Sequence, residues 1–148
     1  MALYFEGEQT FHQPAQALWD KLSDARFLAG CVPDVESVTQ SEPTQVVCRL
    51  RPSFGFVRGT LDLTMRVAEA EPAQRIRLQL NTRGIGTSSA VDAYLGFEPT
   101  GDGTLLRWAV DVRELGGLLK AVPEGLLKAA AQKVISDAWN QVAAKLGN

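Results

Sequence analysis

The sequence predicts an α+β fold: a curved antiparallel sheet of seven strands, two short helices after the first strand, and a long C-terminal helix covering a cavity on the sheet. Three observations predict it. Apolar residues recur at period two across 35–113, broken at turn signals rich in Gly and Pro. Between Pro14 and Leu28 the spacing is helical instead. After Pro123 an amphipathic run reaches Leu146 with no further Pro and with Gly125 in its first turn.

The opening run 3–12 alternates, with Phe5, Gly7 and Phe11 on one face and Glu6, Glu8 and Thr10 on the other, which predicts a strand. Pro14 stands where a helix begins, and Ala15, Ala17, Leu18, Trp19 and Leu22 continue it. Asp24 is placed to cap a second helical turn carrying Phe27 and Leu28.

Turn signals at Glu42-Pro43, 52–55, Glu71-Pro72, 84–86 and 99–103 divide 35–113 into six further strands. The clearest is 57–67, where Val57, Gly59, Leu61, Leu63, Met65 and Val67 alternate with Arg58, Thr60, Asp62, Thr64 and Arg66. Ile76, Leu78 and Leu80 oppose Arg75, Arg77 and Gln79 in the next strand. Val91, Ala93, Leu95 and Phe97 oppose Asp92, Tyr94 and Glu98, and Leu106, Trp108, Val110 and Val112 oppose Arg107, Asp111 and Arg113. Short connections make this an antiparallel meander whose apolar face needs a cover. The terminal run supplies one, with Leu127, Ala130, Ala131, Val134, Ile135, Ala138, Trp139 and Val142 on one side and Lys128, Gln132, Lys133, Ser136, Asp137, Asn140, Gln141 and Lys145 on the other. Its roughly 24 residues give about 36 Å of helix. The alanines on its apolar side leave space between helix and sheet.

A chain of 148 residues suits one domain over 1–148 with a substantial core. Its 15 basic and 17 acidic side chains are interspersed, which provides no electrostatic footprint for nucleic acid. The start of the chain has no signal-peptide pattern, and no apolar run approaches the roughly 18 residues of a membrane span. A cytoplasmic protein with at most peripheral membrane contact is the expectation. Cys31 and Cys48 fit that compartment as buried free thiols.

Few residues offer chemistry. His12 is the single histidine, which rules out a histidine metal cluster, and alternation turns it outward. Cys31-Val32-Pro33 could hold a reactive thiol, but Arg26 is its one nearby cation, and a structural cysteine is the simpler account. Gly84-Ile85-Gly86 lacks the Lys and the following helix of a phosphate loop and reads as a hairpin turn. Asp62, Asp92, Asp111 and Glu98 fall on outward faces opposite arginines, where cross-strand ion pairing is their natural role. The sequence therefore leads us to expect no catalytic residues, no metal ligands and no cofactor. Trp108 and Trp139 face inward, as core packing or as ligand contacts.

The connections themselves are two-sided. Those at 39–44, 69–73 and 99–103 are polar, whereas 30–34, 52–56, 83–86 and 115–122 carry Phe54, Phe56, Ile85, Leu118 and Leu119. Strand order sends all four of the latter to one end of the sheet. They form either a hydrophobic plug or the mouth of an apolar site. In the second reading Phe54, Phe56, Ile85 and Leu118 form the rim. Leu61, Leu63, Leu80, Val91, Trp108 and Val110 then line the sheet side, and Leu127, Ala131, Val134 and Ala138 the helix side. Glu114 and Arg83 are the candidates for a polar ligand contact.

This order of elements resembles the helix-grip fold of START lipid-transfer domains, pollen allergens and polyketide cyclases (the SRPBCC superfamily). Several motifs resemble the CoxG family of carbon monoxide dehydrogenase more closely: Pro14-Ala15-Gln16-Ala17-Leu18-Trp19, the stretch 28–36 with its Cys31-Val32-Pro33 turn, Gly55-Phe56-Val57-Arg58-Gly59, and Gly101-Asp102-Gly103-Thr104-Leu105-Leu106. Thr87-Ser88-Ser89 departs from the family's glycine-rich pattern, and no apolar tail follows Leu146 as in membrane-tethered members. The resemblance implies a non-catalytic binding or carrier protein for an apolar molecule such as a lipid, isoprenoid or quinone. It also implies an accessory role to a molybdenum hydroxylase of carbon monoxide dehydrogenase type, at the inner face of the membrane. A cyclase or dehydratase on the same fold, which would need an acid or base such as Glu114, Arg83, Gln9 or a tyrosine inside the cavity, is the alternative enzyme reading. A ligand-free docking module, or a homodimer formed through the apolar rim, is the other.

Overall fold

In a computed structural model, residues 3–52 and 59–147 are described. The elements run β1 (Leu3–Phe11), α1 (Ala15–Leu22), α2 (Ala25–Ala29), β2 (Val35–Ser41), β3 (Gln45–Leu50), β4 (Leu61–Glu71), β5 (Arg75–Gly84), β6 (Thr87–Thr100), β7 (Gly103–Gly117), a 3-10 turn at Leu118–Ala121 and α3 (Glu124–Leu146). The strands form a single seven-stranded sheet in the order β1-β7-β6-β5-β4-β3-β2, antiparallel throughout. The chain therefore has the helix-grip architecture that its periodicities predict.

Local chemistry accounts for the helix boundaries. Pro14 and Pro123 precede α1 and α3, where a missing N–H costs nothing. Asp24 caps α2 by accepting from the Arg26 backbone N–H at 2.9 Å. Gly147 closes α3 in the left-handed conformation at φ 72°.

Two buried clusters sit under the helices. One joins Phe11, Leu18, Leu22, Ile76, Leu95, Phe97 and Leu106 to Val142 of α3, and the other joins Ala25 and Ala29 of α2 to Val46, Cys48, Leu63 and Met65. Both cysteines are buried and free, and burial pushes both thiols above their ordinary pKa.

The sequence expectations need several corrections. The strand expected over 57–67 begins at Leu61 and continues to Glu71, because Gly59 takes φ 97°, outside strand geometry; Val57 and Arg58 lie outside the described residues. Strand β7 runs on to Gly117, so the last connection starts at Leu118 and not at 115. Ala17, expected on the apolar side of the first helix, is exposed.

Asp92 lies on the outward face but is 3 % exposed, since Arg77 of β5 and Arg113 of β7 close over it. A bulge between Ala90 and Val91 in the β6–β7 pairing lets Arg113 reach it. Arg49–Asp62 and Arg107–Glu98 form the other expected cross-strand pairs, whereas Asp111 faces Asp92 in register and forms no ion pair among the described residues.

Candidate functional site

The two ends of the sheet differ in how far the helices cover them. Near the polar turns the inward side chains are sealed, and the chain is tied together there by polar contacts. Thr104 Oγ1 donates to the Gln13 carbonyl at 2.8 Å, and Gln13 Nε2 donates to the Leu146 carbonyl at 2.7 Å. Toward the other end the same inward rows lose their cover. Leu61, Leu80, Val91, Val110, Val112 and Leu115 are all half-buried.

Helix α3 explains that gap. It is fully buried at Leu127 and Val142, near its two ends, while Ala130, Ala131, Val134, Ile135, Ala138 and Trp139 between them are half-buried. It crosses the sheet like a beam held at two supports. The short alanine side chains between the supports reach less far toward the strands than the leucine and valine at the ends.

The sparsely covered end carries an apolar rim. Ile85 is 43 % exposed, Leu118 64 % and Leu126 52 %. The Leu118 backbone N–H donates to the Gly86 carbonyl at 2.9 Å, which joins the β5–β6 turn to the start of the 3-10 turn. A Cβ placed on Gly59 would lie 3.2 Å from Ile85 Cδ1, so the chain re-entering β4 meets the same turn. That turn has positive φ at both central residues, 56° at Ile85 and 72° at Gly86. A β-branched residue in this region is strained by roughly 1–2 kcal/mol.

The polar groups inside are ones that alternation did not single out. Thr82 and Ser89 pair across β5–β6 with their hydroxyl oxygens 2.5 Å apart, and Leu63 flanks Thr82 in register as Leu115 flanks Ser89. Continuing the Ile76, Leu78, Leu80 row by one step places Thr82 inward, which was the available signal. Arg83 instead is exposed and in register with Asp62, and Glu114 is exposed opposite Ala90. Neither is among the half-buried inward residues. Phe54 and Phe56 lie outside the described residues.

Trp108 and Trp139 meet at the centre, their rings 6.1 Å apart and inclined by 39°. Trp108 stands directly opposite Gly7 on β1. Its indole Nε1 is buried and has no hydrogen-bond partner among the described residues. Beside it a groove of about 490 Å³ runs between the β1 edge and α3. Phe5, Gln9, Trp108 and Trp139 line it together with Gln132, Ser136 and Asn140. The last three are exposed, as the helical wheel assigned them, and at i, i+4 and i+8 they form the stripe of α3 along this groove.

On the outer face, burial pushes the Asp92 carboxyl upward, but the hydrogen bonds from Arg113 and Arg77 outweigh it and hold the pKa below the usual carboxylate value. Arg77 also stacks over Tyr94 at 5.9 Å. Arg77 also reaches Glu69 of β4 at 3.6 Å, so the cluster reads as a clamp across β4, β5, β6 and β7. Among the described residues no group of three His, Cys, Asp or Glu could hold a metal ion, and no helix is long and apolar enough to cross a membrane.

Comparison with known proteins agrees with this fold. Residues 7–147 match the family model of CoxG, the G subunit of carbon monoxide dehydrogenase. Among solved structures, a conserved protein from Geobacillus kaustophilus is similar at 21 % identity and TM-score 0.85, over 98 % of this chain and 95 % of that one. A protein from Chromobacterium violaceum aligns at 14 % identity and TM-score 0.70, over 98 % of both chains. A START superfamily protein from Mycobacterium smegmatis aligns at 12 % identity and TM-score 0.69, over 97 % of both. At these identities the structures establish the fold alone. No curated protein matches the chain.

Proposed function

Because the chain belongs to the CoxG family of carbon monoxide dehydrogenase, we propose that it is a single-domain carrier that holds an apolar molecule, a lipid, isoprenoid or quinone, between its sheet and α3. The observation that carries this reading is the contrast between the sealed inward rows at one end and the half-buried inward rows at the other. Apolar surface left half-covered beneath a helix costs roughly 25 cal/mol for each Å² that a ligand would remove from water. A bound apolar molecule recovers that energy.

The rim of Ile85, Leu118 and Leu126 supports a peripheral site of uptake at a membrane face, inside the cell in this reading. Family membership supports delivery to, or acceptance from, a molybdenum hydroxylase of carbon monoxide dehydrogenase type. The same rim also suits a protein docking surface, and the two uses are compatible if the partner takes the ligand through it.

Solvent extraction of the purified protein followed by mass spectrometry tests the carrier reading. A stoichiometric lipophilic compound is expected, as is quenching of tryptophan fluorescence when a quinone is added. Recovery of nothing lipophilic, together with unchanged fluorescence, would falsify it.

A further inference from the structure

An open sheet has two free edges, and in this one they are unlike. Strand order leaves β1 and β2 outermost, each paired with a single neighbour among the described residues. The pairing of β2 with β3 is broken twice, between Val35 and Ser37 and between Val38 and Gln40, and such irregularities twist an edge away from any strand that would join it. β1 has none. It pairs with β7 without a break from Leu3–Val112 to Phe11–Thr104, and it holds no Lys, Arg or Pro. Alternate residues of such a strand turn their N–H and C=O groups away from β7, toward the open edge.

The β1–α3 groove runs along that edge. The inward side chains of β1 are buried at its ends, Leu3 and Phe11, and only half-buried between them at Phe5, Gly7 and Gln9. On α3, Gln132, Ser136 and Asn140 span about 12 Å, against about 13 Å of extended chain from Phe5 to Gln9. Two amides and a hydroxyl suit the backbone of a polypeptide, which offers donors and acceptors and no charge. A strand added at the usual spacing of about 4.8 Å from β1 would turn one row of its side chains into this groove and the other row to solvent.

Charge selects the strand. On the outward face of β1, Glu6 and Glu8 are exposed, and neither forms an ion pair among the described residues. Glu6 accepts from Tyr4 Oη at 3.3 Å, and Glu8 is in register with Arg107, whose guanidinium goes to Glu98 instead. A second copy joining β1 to β1 about a two-fold axis through Gly7 would set Glu6 of each copy against Glu8 of the other, like charges face to face. Basic side chains at alternate positions of a different chain would meet both carboxylates.

We infer that the free edge of β1 is a docking site for a partner protein, which adds an extended segment to the seven-stranded sheet. That segment carries lysine or arginine at alternate positions facing Glu6 and Glu8, with the side chains between them in the β1–α3 groove. The site is independent of any ligand held under α3.

The test uses the full chain and three short capped peptides: lysine and valine in alternation, glutamate and valine in alternation, and the lysine–valine composition in two blocks. The alternating lysine peptide should bind, the glutamate peptide should not, and the block peptide should bind at least about threefold more weakly. Glu6→Gln combined with Glu8→Gln should weaken the alternating lysine peptide about three- to tenfold. Both carboxylates are exposed, so the melting temperature of that variant should stay at the wild-type value. In 15N-labelled wild-type protein, alternate β1 amides should exchange freely and become protected when the alternating lysine peptide is added, a readout that needs no variant. The proposal falls if no peptide binds, if lysine and glutamate peptides bind alike, if the block order binds as well as the alternation, or if the protected amides lie outside β1. Protection of the same amides that grows with protein concentration, without peptide, would give the edge to a second copy and overturn it as well.

Discussion

Trp108 and Gly7 face each other across the β1–β7 pair, and a Cβ on Gly7 would come within 2.6 Å of the Trp108 ring. The indole therefore lies over bare backbone. Glycine is unfavourable in a strand interior by roughly 0.5–1 kcal/mol, and here the ring occupies the space that a side chain would fill. Gly7→Ala should push the indole out of place and destabilise the fold by about 1–3 kcal/mol, the usual range for overpacking. Urea titration together with the near-ultraviolet circular dichroism of the Trp108–Trp139 pair checks it; an unchanged aromatic spectrum would show that the ring does not need the space.

Ile85 pairs an exposed apolar side chain with a left-handed backbone. Ile85→Asn, which suits a two-residue hairpin with positive φ at both centres, should raise stability by about 1 kcal/mol. It should also weaken association with lipid vesicles, since one rim residue is gone. A variant that is both less stable and equally adherent would mean that the isoleucine is present for packing.

Ala138 tests the space under α3. Filling a well-packed core position with a larger residue costs about 1–3 kcal/mol. On the carrier reading, Ala138→Leu is expected to cost less than about 0.5 kcal/mol, because the side chain would extend into the proposed ligand space, and to lower ligand uptake in the extraction assay. A full overpacking penalty in thermal unfolding would instead place α3 against the strands.

Asp92 links stability to pH. Its folded-state pKa lies below the ordinary value, so the ionised carboxyl is stabilising above the unfolded-state pKa of about 3.9, and that contribution is lost as the pH falls through the folded value. Asp92→Asn should flatten the acid limb of the stability profile. At neutral pH it should cost about 1 kcal/mol, a modest figure because Arg113 is half exposed and its pairing is screened by solvent. An acid limb identical to wild type would remove Asp92 as its source.

Much of the fold was legible because strand and helix periods differ and this sequence keeps to each for long runs. The inward rows on β4 to β7 and the supports of α3 are read directly from those periods. What escaped depends on properties that a period does not encode. Positive φ at Gly59 makes β4 begin late, at Leu61, although the sequence alternates on either side of it. Alternation assigned Asp92 to the correct face, but two long arginine side chains and a bulge decide that it is covered. Gln132, Ser136 and Asn140 lie on the flank of α3, and only the position of β1 shows what the flank faces. The unpartnered N–H of Trp108 is legible only once every neighbour is in place.

The beam form of α3 has a consequence for how the chain assembles. Between Leu127 and Val142, a span of roughly 22 Å, the inward side chains are only half-buried, and Trp139 is the one that packs on the buried core, against Phe11 and Trp108. Intrinsic tendency supports the rest of the span, which contains Ala129, Ala130, Ala131 and Ala138, together with a Lys133–Asp137 contact at 2.7 Å one turn apart. A peptide covering 124–147 should accordingly show measurable helicity by circular dichroism near 0 °C, and a random-coil spectrum would reverse the argument. That helix would then coil on its own within about a microsecond, ready to close over a sheet whose distant strand pairings form far more slowly.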